Sequence, residues 1–373
     1  MKIALVVPGG VDVSGERRVI PALLALIQRL AARHELHVYA LRQQPQPGDW
    51  MLRGARIHNL GYESRQPMSW RALAAMRREH RLAPFDIVQS IWADSCGLAA
   101  VSAAWLFGLP SVVHLAGGEL VALPALGYGG RLRWRGRCCQ ALVLHGATAL
   151  TAASAPMLAQ IAAHGRTARR VPLGVDLGQW PPQPPLQRDP LQPVRLVHVA
   201  SLNLVKDQTT LLQALSLLAA DGVDFELAVV GEDTLGGRIQ ALALQLGLAS
   251  RTRFHGFLTQ GELRPVLARA HIHLISSRHE AGPLAVLEAA VLGVPSVGTA
   301  VGHLAEWAPQ AALVAQPGDA AGLARAIRRL VDDEPLRLTI AAEASRRALA
   351  EDADHTAAMF EGLHLELLAQ HRR

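Results

Sequence analysis

Residues 272–299 read IHLISSRHEAGPLAVLEAAVLGVPSVGT, and they hold one complete strand–helix–strand unit. Ile272–Ile275 is an apolar run of strand length, and the five residues after it are polar. Pro283 suits the first position of a helix running to about Leu292, and Gly293 with Pro295 stops that helix before a second apolar run at 296–299. A strand, a helix and a strand in this order form the crossover that joins parallel neighbours in a sheet. The same alternation extends in both directions. Strands are expected at 195–200, 225–230 and 252–256, and earlier at 2–7, 36–41, 56–60, 86–90, 111–115, 147–151 and 168–172. Helical spacing fills the gaps, as in 21–33, where Leu23, Leu24, Ile27 and Leu30 recur on one face. The fold class is therefore α/β with parallel sheets.

Two such sheets are expected. The chain has 373 residues, enough for two domains of ordinary size. Residues 180–190, WPPQPPLQRDP, contain five prolines, and proline cannot donate into a sheet ladder. This segment reads as a stiff linker. The expected domains are 1–178 and 193–347, with a linker at 179–192 and a helical segment at 348–373 that could cross back to the first domain. Two doubly wound domains would face each other across a cleft, and ligands in such folds sit beyond the carboxyl ends of the strands.

Composition narrows the function. Half of the residues are hydrophobic and 18% are charged, which excludes a mainly disordered chain. Aromatics at 4% argue against a stacking platform for single-stranded nucleic acid, and no helix-turn-helix, RNA-binding or zinc motif appears. The three cysteines, Cys96, Cys138 and Cys139, form neither a disulfide framework nor a zinc pattern, so a reducing compartment fits. No secretory leader precedes the run Ile3-Ala4-Leu5-Val6-Val7, and a cytoplasmic protein is expected. The uncharged stretches 95–118 and 138–165 are broken by Pro, Gly and His, and read as buried sheet units rather than membrane spans.

The basic residues are uneven. Residues 1–175 hold 20 basic against 9 acidic side chains, net +11, whereas residues 176–373 hold 17 against 22, net −5. Such asymmetry suggests that the first half faces an anionic partner; solvated helix faces are the plainer reading. Of 37 basic residues only Lys2 and Lys206 are lysines.

Three loops at strand ends could carry chemistry. The first, Pro8-Gly9-Gly10-Val11-Asp12-Val13-Ser14-Gly15, lets backbone approach a ligand, but it is neither GxGxxG nor a P-loop, which removes the main support for a nicotinamide dehydrogenase or a P-loop hydrolase. The second opens the later half with Ser201-Leu202-Asn203-Leu204-Val205-Lys206, where a lysine suits a phosphate oxygen. The third is the quoted unit. Its helix start at Gly282, Pro283, Leu284 and Ala285 offers free amides to a diphosphate. Glu288, a turn further in, could take paired ribose hydroxyls, and Glu280 in the loop could reach a sugar. A solvated Glu288 and a capping Glu280 are the structural alternatives.

Taken together, the chain resembles glycosyltransferase family 4, whose members are retaining, use nucleotide sugars and have the GT-B fold of two Rossmann-like domains. The resemblance runs over nearly the whole length: Pro8-Gly9-Gly10, Thr151-Ala152-Ala153-Ser154, Val171-Pro172-Leu173-Gly174-Val175-Asp176, Ser201 to Lys206, Val230-Gly231-Glu232, Phe254-His255-Gly256-Phe257, the Glu280/Glu288 pair, Gly293-Val294-Pro295, and Gly302-His303 with Glu306. It implies that Glu288 holds the donor ribose and that Glu280 sits by the transferred sugar. Lys206 and the amides around Gly282, Pro283, Leu284 and Ala285 would hold the diphosphate, and Gly9 and Gly10 would line the acceptor side. Two departures stand out. Ser201 replaces the arginine that partners the lysine in the family, and Ala116 stands where a catalytic histidine is usual, with His114 two residues earlier as its possible substitute. No Asp-x-Asp motif lies in a loop positioned for a diphosphate, so no metal and no cofactor beyond the donor are expected. The acceptor is expected to be lipid-linked or a cell-surface glycan, with the first domain touching the inner face of an anionic membrane. A nucleotide-sugar epimerase of related fold and a non-catalytic sugar-binding relative are the alternatives.

Overall fold

The computed structural model describes residues 1–63 and 67–372. The chain forms two compact units, one of Met1–Gly174 with Ala353–Arg373, the other of Val175–Asp352. Arg373, the end of the expected C-terminal segment, lies outside the described residues.

In the first unit, β1 (Lys2–Val7), α1 (Pro21–Ala31), β2 (Glu35–Ala40), β3 (Gly48–Leu52), β4 (Ala55–Asn59), α2 (Met68–Leu82), β5 (Ile87–Ile91), α3 (Ser95–Phe107), β6 (Ser111–Leu115), α4 (Trp134–Gly146), β7 (Ala149–Ala152), α5 (Ala155–Ala162) and β8 (Arg169–Arg170) follow in order. The sheet order is β3-β4-β2-β1-β5-β6-β7-β8. Only β3 runs antiparallel, pairing with β4 at the edge. The second unit contains β9 (Val194–Val199), α6 (Gln208–Ala220), β10 (Phe225–Val230), α7 (Arg238–Gln245), β11 (Thr252–Gly256), α8 (Gln260–Ala268), β12 (Ile272–Ile275), α9 (Leu284–Val291), β13 (Ser296–Thr299), α10 (Gly302–Trp307), β14 (Ala312–Ala315), α11 (Ala320–Asp332) and α12 (Glu334–Ala350). Its sheet is wholly parallel, in the order β11-β10-β9-β12-β13-β14.

The inner strands of each sheet are buried on both faces, which is why they read as apolar runs: all six residues of β1 and all four of β12 are buried. One core of the first unit is completed by α13 (Ala353–His371), whose Phe360, Leu363 and Leu367 pack with Leu23, Ile27 and Val38.

The structure departs from the sequence reading at two strands, at one shortened strand and at the proline-rich segment. β3 was not expected, because Gly48-Asp49-Trp50-Met51-Leu52 has only three consecutive apolar residues; as an edge strand it leaves Asp49 and Met51 exposed. β14, a four-residue edge strand, was also missed. The strand expected at 168–172 shrinks to Arg169–Arg170, since Pro172 has no N–H to give. The proline-rich segment is no free linker: it lies against the second unit. Trp180 is buried, Gln183 N–H donates to the Val291 carbonyl at 3.0 Å, and the buried Arg337 donates to the Leu186 carbonyl at 2.6 Å.

Strand order in both units reverses beside the first strand. In the second unit β9 has β10 on one side and β12 on the other, so the loops leaving β9 and β12 diverge at this switch point and leave a crevice at their carboxyl ends. Those two loops are residues 200–207 and 276–283. In the first unit the corresponding loops leave β1 and β5.

Candidate functional site

The switch point of the second unit brings Lys206 and Glu280 together. Lys206 Nζ lies 2.5 Å from Glu280 Oε1, and Ser277 Oγ donates to the same oxygen at 2.6 Å. The two loops are stitched at three further places. The Arg278 N–H donates to the Val205 carbonyl at 2.7 Å, Ser276 Oγ donates to the Lys206 carbonyl at 2.8 Å, and Arg278 Nε meets Asp207 Oδ2 at 2.5 Å. Asp207 has φ of 48°, which turns the chain sharply into α6, and its carboxylate caps that helix through the Thr210 N–H.

Below the switch point, His198 Nδ1 bonds the Leu274 carbonyl at 2.8 Å and its Nε2 meets Gln208 at 3.1 Å. Burial holds this imidazole neutral, with its pKa pushed down to about 4. It ties β9 to β12 under the two loops. Sequence reading gave it no role; the available signal was a polar residue inside an apolar strand.

The helix after Glu280 starts one residue later than expected. Pro283 is the extended residue before α9, not its first helical position, and no side chain caps the helix start. The amides of Leu284 and Ala285 are thus open to an anion, while the Val286 N–H donates to the Pro283 carbonyl at 3.2 Å. Pro283 is buried while Gly282, Leu284 and Ala285 are partly accessible. Glu288 lies one turn into α9, nearly buried, with Gln260 Nε2 at 3.5 Å from its Oε1. Burial pushes its carboxyl pKa up to about 7. Gly302, at the start of α10, has φ of 49°, and a Cβ there would stand 2.8 Å from Pro283 Cδ and 3.2 Å from Glu280 Cβ. Only glycine lets α10 close on the Glu280 loop. Ser201, where the family's arginine was expected, is exposed, and its carbonyl accepts from Gln208.

The first unit holds the remaining candidates. Gly10 has φ of 80°, and a Cβ on it would meet Ile20 at 2.6 Å. The Gly9–Gly10 turn is organised by the buried Gln43, whose Oε1 accepts from the Val11 N–H at 2.9 Å and whose Nε2 donates to the Arg18 carbonyl at 3.2 Å. The catalytic expectation for His114 is corrected by its placement. The ring has no accessible surface, Nδ1 is bonded to Thr151 Oγ1 at 2.9 Å, and the edge packs on Phe360. Burial pushes its pKa down to about 3, so it is a neutral core histidine. Nearby, the sequence reading gave no role to the buried Glu119. Its carboxylate accepts from the N–H groups of Ala93, Ala116 and Gly117 at 3.1, 3.2 and 2.8 Å, joining the loops after β5 and β6. Among the described residues, a His/carboxylate cluster of metal-binding spacing occurs at Glu35, His37 and Glu79, away from these loops, and Lys2 Nζ already sits 3.2 and 2.7 Å from its two carboxylates.

Known proteins match this arrangement over both units. Residues 187–347 match the glycosyl transferases group 1, and residues 19–174 match the glycosyl transferase 4-like domain. The chain belongs to this glycosyltransferase family. The glycogen synthase of Mycobacterium tuberculosis (strain H37Rv) is 32% identical over 183 residues, 48% of this chain and 44% of that protein. The 2-deoxystreptamine glucosyltransferase of Streptomyces kanamyceticus is 33% identical over 142 residues, 38% of this chain and 36% of that one. The matched part therefore spans less than half the length of these relatives. Among solved structures, the sucrose-phosphate synthase of Thermosynechococcus elongatus superposes with a TM-score of 0.83 at 18% identity, covering 99% of this chain and 100% of that one. Anabaena Alr3699/HepE in complex with UDP-glucose gives 0.74 at 17% identity, covering 99% and 100%. The fold of this glycosyltransferase is thus GT-B.

Proposed function

We propose that this glycosyltransferase moves a sugar from a nucleotide diphosphate donor to an acceptor hydroxyl with retention of the anomeric configuration, in the synthesis of a cell-surface glycan or glycolipid. The observation that carries the reading is the meeting of Lys206 and Glu280 at the switch point, beside a helix start that no side chain caps. In this reading the diphosphate lies against Lys206 and the amides of Leu284 and Ala285. As the glycosidic bond breaks, the leaving diphosphate gains charge. Preorganised donors of this kind are worth about 3–4 kcal/mol each in acyl-transfer sites. Glu280, released from Lys206 by the incoming phosphate, faces the sugar, and Glu288 accepts from ribose hydroxyls. The chemistry uses no metal in this proposal.

The HepE structures hold UDP and UDP-glucose, so UDP-glucose is the first donor to test. The deciding assay incubates the protein with single nucleotide sugars, with and without an acceptor panel, and identifies products by mass spectrometry. Sugar transfer with release of nucleoside diphosphate supports the reading. Epimerised donor without transfer marks an epimerase, and donor binding without turnover marks a sugar-binding relative.

The proposal extends to the acceptor side. Arg131, Arg133, Arg135 and Arg137 flank Trp134 in sequence; Trp134 is 63% exposed, with the Arg135 guanidinium 5.5 Å from its ring centre. An exposed tryptophan in an arginine-rich segment suits a lipid headgroup layer, where each basic residue contributes about 1 kcal/mol near an anionic surface. We read the first unit as docking on the inner face of a membrane to take a lipid-linked acceptor. No helix among the described residues is long and apolar enough to cross a membrane.

A further inference from the structure

The second unit has a groove of about 380 Å³ at the end of its sheet opposite Lys206 and Glu280. It is bounded by the amino ends of β9, β10 and β11 and by the last turn of α8. Parallel pairing sets Arg195 beside Glu226, Val197 beside Ala228, and Ala228 beside Arg253, so these side chains share one sheet face. Arg269, at the end of α8, closes the other wall.

Of the four arginines lining this groove, three have no ion-pair partner among the described residues. Arg195 Nε donates to the Arg269 carbonyl at 2.6 Å, and its Nη2 meets His271 Nε2 at 2.7 Å; neither partner carries negative charge. Arg253 and Arg269 are exposed and form no ion pair among the described residues. Arg251, by contrast, is committed to Asp224 at 2.6 Å and to the face of Phe225. The only carboxylate lining the groove is Glu226. His271, which meets Arg195 Nη2, has its pKa pushed down to about 4, by burial first, then by Arg195 and by Arg337 and Arg188 outside the groove. Three arginines against one glutamate leave an excess of about two positive charges, which matches the −1.5 to −2 of a phosphate monoester near pH 7. Guanidinium groups bind phosphate oxygens through paired N–H donors. The floor of Val197, Ala228 and Val266 is apolar and suits a carbon body, and the volume is that of a small-molecule site.

We propose that this groove is a second ligand site, separate from the switch point, that binds a small organic phosphate monoester between Arg195, Arg253 and Arg269. It does not depend on the transfer reaction. The test is calorimetric titration of the full chain with glucose 6-phosphate at low salt. One site is expected, with affinity falling at least tenfold in the Arg253→Gln/Arg269→Gln double variant and unchanged in Lys206→Ala. Glucose should not bind at the same concentrations, and inorganic phosphate should bind more weakly than the ester. Both substituted arginines are exposed, so the double variant should fold, which its circular dichroism and Tm would verify. No binding, equal affinity in the double variant, or loss of binding in Lys206→Ala would each overturn the site. Equal affinity for inorganic phosphate would overturn its preference for an organic ester.

Discussion

Lys206 Nζ and Glu280 Oε1 stand 2.5 Å apart although 74 residues separate them in the chain. The contact pairs the two loops that diverge at the sheet's reversal point, and the lysine gives the carboxylate a partner before any substrate arrives. Replacing Lys206 with Ala should lower kcat/KM for transfer by about 10²–10³, the loss typical of one well-aimed transition-state donor. Ser277 still donates to Glu280, so the fold should survive. A folded Lys206→Ala protein with near-normal turnover would remove the lysine from the mechanism.

Glu280 and Glu288 should divide their labour. Glu280→Gln is expected to reduce kcat with little change in nucleotide affinity, because it stands in the loop beside the lysine. Glu288→Gln should raise the donor KM more than it lowers kcat, because it stands one turn into α9. Steady-state kinetics of both variants decide it: equal effects on KM and kcat in the two would refute the split.

The buried carboxyl of Glu288 makes stability depend on pH. Its folded pKa is about 7, above the ordinary 4.5, so the folded state holds a proton that the unfolded state releases. The resulting stability is present below about pH 4.5 and is lost as pH rises toward 7, on the order of 3 kcal/mol in all. Urea melts at pH 5 and pH 8 should therefore differ more in the wild type than in Glu288→Gln. Parallel curves for the two proteins would contradict it.

At the acid end the buried histidines act in the opposite sense. Burial pushes His114, His273 and His364 down to about 3 and His198 to about 4. Depressed histidines contribute stability that is complete above about pH 6.5 and is lost as pH falls through the folded values. Cooperative unfolding between pH 5 and 3, followed by circular dichroism, is expected, and His364→Gln should shift the midpoint to lower pH. An unshifted midpoint would clear His364 of any part in it.

Membrane docking is tested by vesicle sedimentation. Binding should require anionic lipid, fall with salt and weaken when Arg131, Arg133, Arg135 and Arg137 are changed to Gln. Indifference to lipid charge would leave the arginines as solvated surface.

Much of this was legible in the sequence because a doubly covered parallel sheet writes its strands as apolar runs. β1, β9 and β12 were readable for that reason, and the strand ends then located Lys206 and Glu280. What stayed hidden depended on pairing across the chain. β3 has only a short apolar signature because it is an edge strand with Asp49 and Met51 exposed. His114 looked like a substitute catalytic group because strand alternation fixes a face, while α13, some 240 residues later, decides whether that face is covered. Glu119 and Gln43 carry no local sequence signal, since their value lies in backbone N–H groups brought to them by folding.

The return of α13 to the first unit sets the order in which the protein can be made. Phe360, Leu363 and Leu367 belong to the core that Leu23, Ile27 and Val38 begin. Residues 1–174 therefore leave the ribosome with one side of that core open, and the whole of 175–352 must be synthesised before the missing helix appears. At roughly 5–20 residues per second the wait is about 10–35 s. During that interval the nascent first unit exposes apolar surface, and any fragment ending before residue 353 keeps it exposed permanently.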